Sequence, residues 1–176
     1  MTIQVLVTAA SRHGATHEIA RTISEELQAA GFVTALLPPD AVPSLEAYDA
    51  VILGSAVYAG RWLGPARRFA EHYRAALLDR PVWLFSSGPI GGQPAKEEEA
   101  LDVAGIRETT RARDHRVFGG KLDRHELGLA ERAIVRVVRA PDGDDRPWDE
   151  IAAWARDIAA ALGAPIVAIA TVTVPA

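Results

Sequence analysis

The sequence predicts an α/β fold: a doubly wound parallel sheet of five strands with helices on both faces. Three observations predict it. Short apolar runs alternate with longer segments of helical periodicity, the order that builds a parallel sheet through right-handed crossovers. The third apolar run, residues 48–54, is nearly uninterrupted, as a strand covered on both faces requires. The first run hands its carboxyl end to a helix through a short loop of small and hydroxylated residues.

Residues 3–8 form the first strand, 11–16 the loop, and 19–30 an amphipathic helix. Residues 32–37 are the second strand, closed by Pro38-Pro39-Asp40. After the third strand, Gly64-Pro65 starts a helix, with proline at a first-turn position where its missing N–H costs nothing. Phe69, Tyr73 and Leu77, spaced four apart, make its apolar face. Residues 81–86 are the fourth strand; glutamate-rich sequence follows, helical from Ala95 onward. Residues 116–120 are a short fifth strand. The last helix lines Trp148, Ile151, Trp154, Ile158 and Leu162 along one side and ends at Gly163. Residues 1–163 thus make one domain. Residues 164–176 are an apolar, β-prone tail that adds an edge strand or pairs with a second subunit in a homo-oligomer.

Composition narrows the function. The 176 residues suffice for one sizeable core. A formal charge of −4 gives no general attraction to nucleic acid. The absence of cysteine excludes thiolate catalysis, cysteine-ligated metals and disulfides. Without a basic leader ahead of the first strand, the expected location is cytoplasmic. The histidines lack metal-ligand spacing, because Arg21 stands where a zinc motif beginning at His17-Glu18 needs its second histidine. No metal is expected.

In a parallel sheet of this kind, ligands sit beyond the carboxyl ends of the strands. Three loops lie there: residues 9–16, 55–62 and 86–92. In the first, loop amides and the positive end of the helix dipole favour a phosphate. A dinucleotide fingerprint needs three glycines, and this loop has only Gly14; a P-loop needs a lysine, and none precedes Lys96. A receiver domain needs acidic residues at the strand ends, where Thr8-Ala9 and Gly54-Ser55 stand instead. What remains is Ser11, two variable residues, then Gly14-Ala15-Thr16, a pattern that ordinary helix capping also produces. The second loop, Ala56, Val57, Tyr58, Ala59, Gly60, Arg61 and Trp62, adds two aromatics that either stack on a flat ring or pack against the neighbouring helix. The third contributes Ser87, Gly88 and Pro89 and lacks an aromatic. A phosphate cradle beside two backbone-rich loops suits a flavin. Arg12 and His13 either neutralise the phosphate or face solvent. No acid–base residue stands out, and catalytic residues are left unassigned.

The pattern Ser11-x-x-Gly14-x-Thr16, the segment 48–60 and the run 117–123 resemble the flavodoxin-domain family. The ending 147–158 is similar to its menaquinone-dependent protoporphyrinogen oxidase branch. The resemblance implies a flavodoxin-like sheet in the order 2-1-3-4-5 and flavin mononucleotide (FMN) as cofactor. It implies that Ser11, Arg12, His13, Gly14, Ala15 and Thr16 surround the phosphate, with the second and third loops along the ring. It also implies an oxidoreductase acting on a porphyrinogen or quinone; the alternatives are an electron carrier serving a redox partner protein and a cofactor-free interaction module. That branch carries an extra segment thought to contact membrane or quinone, here residues 123–145. Its Arg132, Arg136 and Arg139 fall together at helical spacing, so the segment lies peripherally on an anionic bilayer or docks on the core.

Overall fold

The computed structural model describes residues 2–88, 102–122, 143–144 and 146–163. Five strands run parallel in the order β2 (Val33–Leu37), β1 (Gln4–Ala10), β3 (Ala50–Tyr58), β5 (Val82–Ser87) and β6 (Asp114–Phe118). Counted over these five long strands, that is the expected 2-1-3-4-5. A two-residue strand, β4 (Arg61–Trp62), folds back antiparallel on the end of β3. A separate antiparallel pair joins β7 (Lys121–Leu122) to β8 (Gly143–Asp144).

Successive side chains of a strand point to opposite faces, so each apolar strand feeds two cores. On one face Val5, Val7, Ile52 and Phe85 meet Ile19, Ile23 and Leu27 of α1 (Ala15–Ala29) and Ile151, Trp154 and Ile158 of α5 (Trp148–Ala161). On the other, Leu6, Val51, Leu53 and Leu84 meet Phe69 of α2 (Gly64–His72), Leu77 of α3 (Arg74–Leu78) and Val103 of α4 (Val103–Thr110). The helices thus divide between the faces, as double winding requires.

Several expectations change in detail: the first strand runs on to Ala10, the first helix starts at Ala15 instead of Ile19, and the fifth strand is Asp114–Phe118 instead of 116–120. The helix expected to run from Gly64 past Leu77 divides at Tyr73, whose hydroxyl donates to the Val42 carbonyl at 2.8 Å. Backbone bonds from Tyr73 to Phe69 and from Leu77 to Tyr73 keep the three apolar residues on one side. Trp148 does not join the core: it is 39% exposed at the first position of α5, beyond the edge of the buried face. The third strand does not stop at Gly54 but continues to Tyr58, because the residues after it find partners in β5 and β4. The tail 164–176, residues 95–101 and nearly all of segment 123–145 lie outside the described residues.

One close approach sets the spacing of the first core. A β-carbon on Gly54 would lie 2.1 Å from Cζ of Phe85, its cross-strand partner. Only glycine leaves room for the tip of that ring over β3. From there Phe85 reaches Phe118 and Trp154, each with ring centroids 6.3 Å away, and those two rings meet at 5.6 Å. The indole N–H of Trp154 donates to Asp114 at 2.8 Å, pinning α5 to the edge strand. Burial raises the Asp114 pKa, but the bonds from Trp154 and Arg116 outweigh it and leave the carboxyl below its ordinary value.

Gly54→Ala forces the Phe85 ring out of place, and urea unfolding should show a loss of about 2–3 kcal/mol. Gly105→Ala in α4, where a β-carbon meets nothing within 4 Å, should instead be neutral or gain up to about 1 kcal/mol in the same measurement.

Candidate functional site

The registers Ala10↔Ser55 and Ala56↔Ser87 align the carboxyl ends of β1, β3 and β5 side by side. The chain leaves β1 through Ser11, Arg12 and His13 and turns into α1 at Gly14, which has φ 85°. A β-carbon there would meet open space, so glycine is needed for the left-handed backbone and not for room. No side chain caps α1, and its first backbone bond runs from Glu18 N–H to Gly14 carbonyl at 3.0 Å. The amides of Ala15, Thr16 and His17 precede that bond, at the positive end of the helix dipole. Thr16 is buried, Ser11 and Ala15 are half-buried, and Arg12, His13 and Gly14 are exposed. Arg12 lies 5.0 Å from the centroid of the Tyr58 ring, which ties the first loop to the second.

The second loop is a hairpin. Ala59 and Gly60 have φ 49° and 73°, the two positive values of a type I′ turn. Three polar side chains fasten it. The Ser55 hydroxyl accepts the Leu63 N–H at 2.9 Å, Asp102 accepts the Trp62 N–H at 3.2 Å, and Ser86 accepts the Trp62 indole N–H at 2.8 Å. Ser86 also bonds His115 Nε2 at 2.9 Å. Of the two readings for Trp62, packing holds. Its ring is 2% exposed against the core beside α2, so it anchors the hairpin and has no face left for a ligand. Tyr58, Ala56 and Val57 are half-buried; Ala59, Gly60 and Arg61 are exposed at the rim.

The third loop begins beside the second. Ser87 ends β5, and Gly88, at φ 151°, donates its N–H to Phe118 at 3.2 Å. A β-carbon on Gly88 would touch Val57 at 3.4 Å. Pro89 lies outside the described residues. The uncapped amides suit a phosphate, and the small residues 56, 59, 60 and 88 suit close approach of a flat ring to backbone. The site therefore fits a phosphorylated flavin.

A further group reaches the first loop from the far end of the chain. Arg146, with its side chain 4% exposed, grips Asp144 with Nε at 2.7 Å and Nη2 at 2.5 Å. Its Nη1 donates to the Ala15 carbonyl at 3.3 Å and to the Glu18 carboxylate. The Trp148 ring covers the guanidinium, with 4.5 Å to its centroid. The bond from Arg146 lowers the Asp144 pKa against a smaller opposing effect of burial. The bond to Asp144 in turn raises Arg146, with Glu18 adding to it. Glu18, Asp144 and Arg146 escape a reading of the sequence because Arg146 and Glu18 are 128 positions apart. Nothing around Arg146 marks it as different from the other arginines.

The sequence profile of a family described as Flavodoxin domain matches residues 6–148. Among curated proteins, none matches the chain significantly in sequence. Solved structures are similar in fold. A flavodoxin from the domain Archaea is 15% identical with a TM-score of 0.63, covering 91% of this chain and 99% of its own. A point mutant of a Pseudomonas aeruginosa flavodoxin is 17% identical with a TM-score of 0.62, covering 91% and 99%. Rubredoxin oxygen:oxidoreductase from Desulfovibrio gigas is 16% identical with a TM-score of 0.62; the match covers 90% of this chain and 36% of that longer one.

The lowered pKa of Asp144 gives acid stability a sign. Its contribution is complete above the ordinary aspartate value and is lost as pH falls through the lowered one. Asp144→Asn should therefore be less stable than wild type at neutral pH, with the gap closing below about pH 4. Thermal melts across that range check it.

Proposed function

The chain belongs to the flavodoxin domain family, and from that premise we propose that it is an FMN-binding redox protein. One observation carries the reading: the uncapped start of α1 opens at the same sheet edge as the Ala59–Gly60 turn and Gly88. The amides of Ala15, Thr16 and His17, with the hydroxyls of Ser11 and Thr16, hold the phosphate. The hairpin offers backbone donors and the accessible part of Tyr58 to the ring, while Trp62, Ser86 and Asp102 keep the hairpin rigid. When bound, FMN supplies electron or hydride transfer; the protein supplies orientation and electrostatics.

The finer reading is an oxidoreductase of the protoporphyrinogen and quinone type. It is supported by the likeness of the ending 147–158 to the final helix of the menaquinone-dependent protoporphyrinogen oxidases. A cytoplasmic location with peripheral membrane contact through residues 123–145 belongs to that reading. The second reading is a carrier serving a redox partner protein. It is favoured by the full-length fit to flavodoxins, with 99% of the archaeal chain covered.

Visible absorption of gently purified protein, before and after addition of FMN, should show flavin bands near one per chain. Steady oxidation of protoporphyrinogen with a menaquinone analogue should follow under anaerobic conditions. Bound flavin without turnover leaves the carrier; failure to take up FMN at all overturns the redox reading and leaves an interaction module.

A further inference from the structure

We propose that Arg146 is the positioning residue of the phosphate subsite, holding the first turn of α1 and offsetting the charge of Glu18 beside it. The inference rests on the reading of this edge as an FMN site and deepens it. A guanidinium can fasten two elements at once, because its donors are rigidly splayed. Here one side of the fork grips Asp144 through Nε and Nη2, and Nη1 reaches the carbonyl of Ala15, the first residue of α1. That carbonyl belongs to the same peptide unit as the Thr16 N–H. Holding it aims the amide at the loop.

Charge supports the same role. Glu18 favours the helix dipole but stands one turn from the place of a phosphate. Together Glu18, Asp144 and Arg146 carry one net negative charge; without the arginine they carry two, next to an incoming anion. Burial sharpens the effect, since a guanidinium with a 4% exposed side chain is poorly screened by solvent. Asp144 is itself held in register, opposite Lys121 in the β7–β8 pair that follows the edge strand β6. Arg146 therefore transmits the position of the sheet edge to the anion loop without touching the flavin.

The rival is a purely structural cluster that docks α5 and leaves the phosphate indifferent. Riboflavin, which lacks the phosphate, separates the two. In the 176-residue chain, Arg146→Gln should raise the Kd for FMN at least about tenfold, read by quenching of flavin fluorescence, while the Kd for riboflavin moves less than about threefold. Arg146→Lys keeps the charge and loses the fork, so its FMN loss should be intermediate; it carries the test if the glutamine variant does not fold. Without flavin, amide hydrogen exchange at residues 18–20 should quicken at least about fivefold in either variant, as the first turn loosens.

Equal weakening toward FMN and riboflavin, or an unchanged FMN Kd in both variants, would overturn the proposal. Wild-type protein that binds neither flavin defeats the FMN reading itself. In that event unchanged exchange at residues 18–20 still refutes the brace on its own.

Discussion

The ring of Phe85 lies in the space that any side chain on Gly54 would need, and the aromatic cluster on that face of the sheet is built from that contact outward. The same ring meets Phe118 on the edge strand and Trp154 on the last helix. Trp154 is then fixed twice, by its ring and by its bond to Asp114. Trp154 lies on α5, which packs beside α1 on this face of the sheet, so the helix that follows Arg146 and the helix that opens the anion loop share one core.

The rim is stiff for a second reason. Two small polar residues near the carboxyl ends of buried strands are hydrogen-bonded to the hairpin. Ser55 and Ser86 are both buried, and each spends its hydroxyl on the return of the β3–β4 turn. Asp102 approaches the same turn from the start of α4. A turn with two positive φ angles is costly to form alone, and these three bonds make it the least costly path for the chain. A ligand meeting that edge finds backbone already ordered, with little entropy left to lose.

The central strands were legible because parallel strands buried on both faces leave a run of apolar residues, as in 48–54 and 81–86, whereas their order was implied by the family resemblance. The turn at Gly14 was legible too, since a lone glycine before a helical pattern has few uses. Other features depended on partners far along the chain. Val57 and Tyr58 count as loop or strand according to whether Arg61 and Trp62 fold back to pair with them. Trp62 faces inward because Ser86 waits there with an acceptor, and no local pattern announces a bond spanning 24 positions. Trp148 shares the helical spacing of the core residues, yet it stays partly exposed and stacks on Arg146 instead of entering the core.

The cation that steadies the anion loop also ties together positions that lie far apart along the chain. Arg146 meets the Ala15 carbonyl and the Glu18 carboxylate across 131 and 128 positions of sequence. A substitution at 146 therefore acts on a loop whose own residues are unchanged, and it strips Glu18 and Asp144 of their shared counter-charge in the same step. Positions 18, 144 and 146 form one network, so the effects of changing them do not add.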